Sequence, residues 1–362
     1  MKFTMLLLAL FAGIGCRNDT AVHDELDALF TPYFKNNEPG GAVLIAKKDS
    51  IIYQKGFGLA DINTKEPIST KTLFNTGSVS KTFVAYGILQ LAKEGKLSLE
   101  DDLYKYFSDF KNSSIAKKIK LYHLLTHTSG LPDNRRVSED SVFYLTAKDE
   151  ENFAPIKQND SLHFEPGEKF EYSNPAFNGL ALIIEKISGQ KWQDYIRAKI
   201  FELAGMKTSD ITDGPHPEKG VSHGYLYDGK KFFEKDYGEE PTFAASGNGG
   251  IWSSVEELWL YERAIQQYTF LDSGWIQQSR RVFPLKNWKG KETSALGLSW
   301  FITKDSSASF IGHTGSQGGF RADYLWIPGK KIFYVILCNT PKPLMEMRGK
   351  LFDYLSKNNW LE

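Results

Sequence analysis

Strand-forming runs stand at the two ends of this chain, with little sign of them between. "GGAVLIAKKDSIIYQKGFGLAD", from Gly40, is two β-rich stretches around the turn "KKDS" and reads as a hairpin. Strand signals return at "LGLSWFITKD", "SFIGHTG", "GFRADYLWIP" and "KKIFYVILCN", with "PGKK" as a turn. From about residue 100 to 290 the chain reads as helices and long polar loops, including "LYHLLTHTSG", "NPAFNGLALIIEKISG" and "SSVEELWLYERAIQQY". This order predicts an α/β (α+β) architecture: one sheet built from both termini and flanked by helices, with an inserted helical part. The expected division is 22–99 plus 291–362 for the sheet domain and 100–290 for the helical domain, with a site in the cleft between them. "AVHDELDALFTPYFKN" places Val22, Leu26, Leu29, Phe30, Tyr33 and Phe34 on one helical stripe, which predicts a helix lying on the sheet. "PLMEMRGKLFDYLSKN" reads as a closing helix, and no internal repeats or low-complexity tracts interrupt the pattern.

The 362 residues are 41% hydrophobic and 24% charged, which are globular values. Lys plus Arg and Asp plus Glu both number 44, so no global field draws the protein to nucleic acid or anionic lipid. "MKFTMLLLALFAGIGC" carries one Lys, an apolar run of about ten residues and then small residues, the pattern of a secretion signal over 1–16. A spanning helix needs roughly 20 apolar residues. Cys16 after "AGIG" resembles the lipid-accepting cysteine of bacterial lipoproteins, although Gly13 stands where Leu is usual; the alternative is an ordinary residue of the leader. With 17–21 as a tether, the expectation is a periplasmic or cell-envelope lipoprotein that meets the membrane through its lipid alone. Cys338, in the apolar run "KIFYVILCNT", is expected to be buried, and no intrachain disulfide is expected.

"FNTGSVSKTFVAYGIL", residues 74–89, begins as a turn and continues as a helix that Gly95 should end. Ser78 and Lys81 are three apart and share a face, surrounded by Val79, Phe83, Val84, Ala85, Ile88, Leu89 and Ala92. A lysine kept from water there loses its charge more readily, and an uncharged amine accepts a serine proton. The free N–H groups at the helix start favour an anion forming beside Ser78. Ser-x-x-Lys also occurs at Ser108, Ser114 and Ser188, in polar surroundings, so spacing alone carries little.

Two further motifs narrow the reading. "PGEKFEYSNPAF" holds the only Tyr-x-Asn of the chain, Tyr172-Ser173-Asn174, and "IGHTGSQGG" the only His-Thr-Gly, His313-Thr314-Gly315. With "LLTHTSGLP" they resemble the penicillin-recognising serine hydrolases, in the branch shared by class C β-lactamases, serine D-peptidases and related esterases, from about residue 25 to 358. The resemblance implies a β-lactamase/transpeptidase-like fold with an antiparallel sheet, and an acyl-enzyme formed without metal or cofactor. It implies Ser78 as nucleophile, Lys81 as its proton partner, and Tyr172 sharing the base role and protonating the leaving group. Asn174 would hold substrate and fix Lys81, and His313 and Thr314 would line an edge strand facing the cleft. The N–H of Ser316, after Gly315, would join that of Ser78 as an oxyanion hole. The implied substrates are small peptides or amides containing a D-amino acid, with β-lactams possible. An esterase with weak β-lactam activity and a slowly acylating penicillin-binding sensor or scaffold are the alternatives.

His313 replaces the commoner Lys of that third motif, and a histidine carries charge only in mild acid. A substrate held by its carboxylate is therefore expected to turn over less well as His313 deprotonates between pH 5.5 and 8. His123 and His127 are four apart but lack the Glu and third ligand of a zinc site, and read as structural. No Gly-x-Ser-x-Gly elbow occurs. Substrate choice is expected in 133–165 and 205–245, where Arg135 or Arg136 is either a carboxylate clamp or, the favoured reading, simply solvated. For "SGNGGIWSS", Ser246 to Gly250 lie near the cleft on this resemblance, with contact to substrate left open.

Overall fold

The computed structural model describes residues 19–135, 146–212, 216–234, 246–285, 294–304 and 309–361. The leader, Cys16, Arg136 and parts of both substrate-choice segments lie outside the described residues. Seven antiparallel strands form the main sheet: β1 (Gly41–Lys47), β2 (Ser50–Phe57), β3 (Ser294–Leu296), β4 (Phe301–Lys304), β5 (Ser309–Gln317), β6 (Phe320–Ile327) and β7 (Ile332–Cys338). Their order is β3-β4-β5-β6-β7-β1-β2, so the N-terminal hairpin adds its strand β1 to the last strand of the chain, with Val43 opposite Ile336. Every residue of β7 is buried, as an unbroken apolar run in a strand covered on both faces should be.

Alternation along the strands divides the apolar residues between two layers. On one face Val43, Ile45, Tyr334 and Ile336 meet Val22, Leu26 and Phe30 of α1 (Asp19–Phe30) and, across from it, the C-terminal helix. On the other, Leu44, Val335 and Leu337 continue without a break into the helices α2 (Ser80–Lys93), α3 (Asn174–Ser188) and α4 (Val255–Gln266). The closing helix, α5 (Leu344–Lys357), completes the first layer. Helix α2 is buried from Ser80 to Leu91. It crosses α3 so closely at Gly87 that a Cβ there would lie 2.8 Å from the Cδ1 atoms of Ile184 and Ile196. A buried ion pair ties α4 to the layer: Arg280 donates to both carboxylate oxygens of Glu262 at 2.8 and 2.7 Å, and its guanidinium stacks 4.5 Å over Trp300.

The stretch read as helices and loops also contains strands. Phe74–Asn75 and Asp210–Ile211 flank Ile251–Ser253 in a three-stranded sheet, and Tyr225–Tyr227 pairs with Phe232–Glu234. Runs of two or three residues are too short for a two-residue period to show. The three-stranded sheet anchors both the Ser78 turn and the glycine-rich segment before Ile251.

Candidate active site

The site grows from an unpaired stretch of strand. β5 pairs with β6 from Ile311 to Gln317, but with β4 only as far as Gly312, which leaves His313–Gln317 open on that side. A 3-10 turn, Gly77–Val79, fills the opening. Gly77 has φ +52°, and a Cβ on it would lie 2.6 Å from the Ser316 nitrogen; a Cβ on Gly315 would lie 2.0 Å from the Thr76 oxygen. These two glycines let the turn's backbone touch the strand, bringing the amides of Ser78 and Ser316 to neighbouring places. Ser78 thus stands on the turn that leads into α2, rather than on the α-helix itself, which starts at Ser80. Because a 3-10 turn eclipses positions three apart, the pairing with Lys81 survives: Lys81 Nζ donates to Ser78 Oγ at 3.1 Å.

Lys81 is wholly buried. Burial holds its ammonium well below the usual lysine range, with the charge of Arg135 adding to the effect. Among the described residues no carboxylate pairs with it. Its second hydrogen bond goes to the backbone carbonyl of Asn248 at 2.5 Å, and the rings of Tyr172 and Phe177 lie 5.2 and 5.8 Å away. The segment "SGNGG" therefore holds the lysine. It is itself held by Asp149, whose Oδ1 accepts from Gly247 N at 2.8 Å and from Asn178 Nδ2 at 2.7 Å. Asn178 also donates to Ser246 Oγ at 2.6 Å, and Ser80 Oγ accepts from the amides of Gly250 and Ile251. Burial pushes the Asp149 carboxyl up to about 7.

Asn174, expected to fix Lys81, begins α3 half-buried and is not among the hydrogen-bond partners of Lys81. The amide tied to the lysine's support is one turn further on, at Asn178. Arg135 is neither clamp nor solvated: its buried guanidinium donates to Asp133 at 2.7 and 2.8 Å and to Asn152.

Ser78, Tyr172, His313, Thr314, Gly315 and Ser316 line one cleft of about 800 Å³. The His313 ring is buried, and its Nδ1–H donates to the Thr314 carbonyl at 2.6 Å, which leaves Nε2 without a proton. Burial, the larger cause, and any proton held by Lys81 push its pKa down to about 3. The expected loss of charge between pH 5.5 and 8 is thereby overturned, because a desolvated imidazole beside an amine is already neutral there. His123 accepts from Lys120 N at 2.9 Å and caps a short helix. Buried Cys338 has its thiol pushed up to about 12. Among the described residues no group of three His, Cys, Asp or Glu is placed to hold a metal, and no helix is long and apolar enough to cross a membrane.

His127 is the residue that sequence reasoning set aside. Its ring stacks on Tyr172 with centroids 4.3 Å apart at 23°. Both neighbours of Tyr172 are bonded to it: Glu171 N donates to the His127 carbonyl at 2.9 Å and Ser173 N to its Nδ1 at 3.0 Å. His127 does this from φ +55°, a conformation rare outside glycine. It acts as a positioning residue for the tyrosine. His127→Asn keeps an acceptor for Ser173 and tolerates the backbone, but loses the stacked ring. Acylation of Ser78 should slow by about tenfold to a hundredfold, with a displaced basic limb in its pH profile, as for a misplaced proton donor. A changed melting temperature with an unmoved pH profile would reduce His127 to a structural part.

Comparison with known proteins agrees with this geometry. The Beta-lactamase family profile matches residues 26–356. The chain is 29% identical over 311 residues to penicillin-binding protein 4* of Bacillus subtilis (strain 168), covering 82% of this chain and 67% of that one. It is 29% identical over 331 residues to protein flp of Staphylococcus aureus (strain MRSA252), covering 89% and 63%. The chain thus spans about two thirds of the length of these relatives. Among solved structures, an octameric penicillin-binding protein homologue from Pyrococcus abyssi superposes with a TM-score of 0.78 at 26% identity, covering 90% of this chain and 74% of that one. A D-amino acid amidase from Ochrobactrum anthropi SV3, complexed with L-phenylalanine amide, shares the fold with a TM-score of 0.77 at 20% identity, covering 94% and 99%. The chain belongs to the Beta-lactamase family, as a serine hydrolase of the penicillin-recognising kind.

Proposed function

We propose that the protein hydrolyses small peptides or amides built on a D-amino acid, through an acyl-enzyme on Ser78. The observation that carries this reading is the Lys81 amine, stripped of water and 3.1 Å from Ser78 Oγ. Ser78 Oγ attacks the substrate carbonyl as its proton passes to Lys81 Nζ, and the N–H groups of Ser78 and Ser316 receive the oxyanion. Tyr172 hands a proton to the departing amine and takes up the one held by Lys81, and water then releases the acyl group by the reverse route. No step calls for a metal or cofactor. Likeness to penicillin-binding proteins, and at the level of the fold to a D-amino acid amidase, supports the D-amino-acid substrate. An esterase with weak action on β-lactams is the second reading. It is favoured by the neutral His313, which offers no cation to a β-lactam carboxylate. Secretion with a lipid on Cys16, leaving the enzyme at the cell envelope, completes the proposal.

Intact mass after exposure to a fluorophosphonate and, separately, to a penicillin tests the nucleophile. One adduct should form on the native chain and none on Ser78→Ala; labelling that persists in the variant would contradict the reading, and an adduct that never turns over would make the protein a sensor. The same measurement on protein from its own envelope reads the lipid as a diacylglyceryl increment, absent in Cys16→Ser. The His313 imidazole gains its proton only as pH falls toward about 3, so it stays uncharged throughout the working range. His313→Asn should therefore keep the shape of the kcat/KM profile from pH 5.5 to 8, whatever happens to its height. Loss of a limb near pH 6.5 would show instead that the histidine titrates there.

A further inference from the structure

The support of Lys81 ends in one buried acid. Asp149 opens the short helix Asp149–Phe153 and takes two donors on the same oxygen, Gly247 N and Asn178 Nδ2. Among the described residues no cation pairs with it. The bases that touch this helix are engaged elsewhere: Arg135 by Asp133 and Asn152, and Lys157 by Asp109 and Glu150. From α3 the charge that reaches Asp149 is that of Glu185, and residues 246–250 carry no titratable side chain. An amide oxygen in the same place would accept both hydrogen bonds without burying a charge. What the acid adds is charge assistance to both bonds, which comes and goes with its proton.

The two donors lead straight to the lysine. Gly247 lies at backbone contact with α3, where a Cβ would stand 2.6 Å from the Ala181 Cβ and from the Phe177 oxygen. Asn178 ties both neighbours of Gly247, donating to Ser246 Oγ, which donates in turn to Asn248 Oδ1 at 2.5 Å. The carbonyl of that same Asn248 accepts from Lys81 Nζ. It therefore sits one residue from the amide that Asp149 holds. A loosened Gly247 amide lets the carbonyl move, and the amine bound to it then leaves its place 3.1 Å from Ser78 Oγ.

We infer that Asp149 is a positioning residue for the proton transfer from Ser78: its carboxylate, through Gly247 and Asn178, sets the Asn248 carbonyl and with it the Lys81 amine. The inference rests on the acyl-enzyme reading, so its test keeps the two apart. Burial, with the charge of Glu185 adding to it, raises the carboxyl to about 7, so the charge is gained as pH rises through the working range. Second-order labelling of Ser78 by a fluorophosphonate is followed from pH 5.5 to 8.5 in the native chain and in Asp149→Asn, and the Asp149 13Cγ resonance is titrated in the native chain. The reagent reads the serine and its base without a substrate's amine. Native labelling should rise by about tenfold across a limb that shares its midpoint with the 13Cγ resonance, the difference between a charge-assisted and a neutral contact. In Asp149→Asn, which keeps an oxygen for both donors, that limb should vanish and the rate should stay near the native acid-side value. A native rate at pH 8 in the variant, or the limb persisting there, would overturn the role of Asp149 and leave the hydrolase reading standing. So would a 13Cγ titration with no matching limb in native labelling, which serves if the variant does not fold. Absence of labelling in the native chain would overturn the hydrolase reading and this role with it.

Discussion

A single desolvated amine organises this protein. An ammonium in the place of Lys81 would have one hydroxyl, one carbonyl and two aromatic faces for company, and no carboxylate among the described residues. That environment disfavours the charged form by far more than the exposed end of a helix would. The surrounding architecture maintains it. Helix α2 is packed on all sides, and the Asn248 carbonyl is presented by a segment that Asp149, Asn178 and Ser80 hold from three directions. The buried lysine costs stability, and the proposed reactivity of Ser78 is what that cost would make possible.

The sheet supplies the other half of the site. The short pairing with β4 leaves five residues of β5 open toward the cleft, and the Gly77 turn fills that opening at backbone contact. Ser78 and Ser316, proposed as nucleophile and second oxyanion donor, therefore come from opposite ends of the chain. They are brought together because β1 pairs with β7 in the middle of the sheet. The site is inseparable from the fold that closes the two termini into one sheet.

Much of this was legible in the sequence. The hairpin, the C-terminal strands and the buried helix after Ser78 showed as periodicity, because long strands and helices repeat their apolar residues often enough. Ser78 and Lys81 were readable as a pair because three residues of helix set their distance. What escaped notice depends on contacts across long stretches of chain. Asn248 reaches Lys81 from 167 residues away, and Asp149 reaches Gly247 from 98, with no local pattern marking either. His127 read as structural, and only the path of residues 171–173 shows what it holds. The ionisation of His313 was misjudged because sequence gives the residue type but not its burial or its distance from Lys81.

The central claim is that Lys81 gives up its proton far more readily than an ordinary lysine, and it can be read directly. The pH titration of its 15Nζ and 13Cε resonances, assigned by their loss in Lys81→Gln, measures the charge without substrate. The structure predicts that ammonium shifts give way to amine shifts well below the ordinary lysine range. Shifts of an ammonium that persist until about pH 10, the ordinary lysine range, would contradict the account.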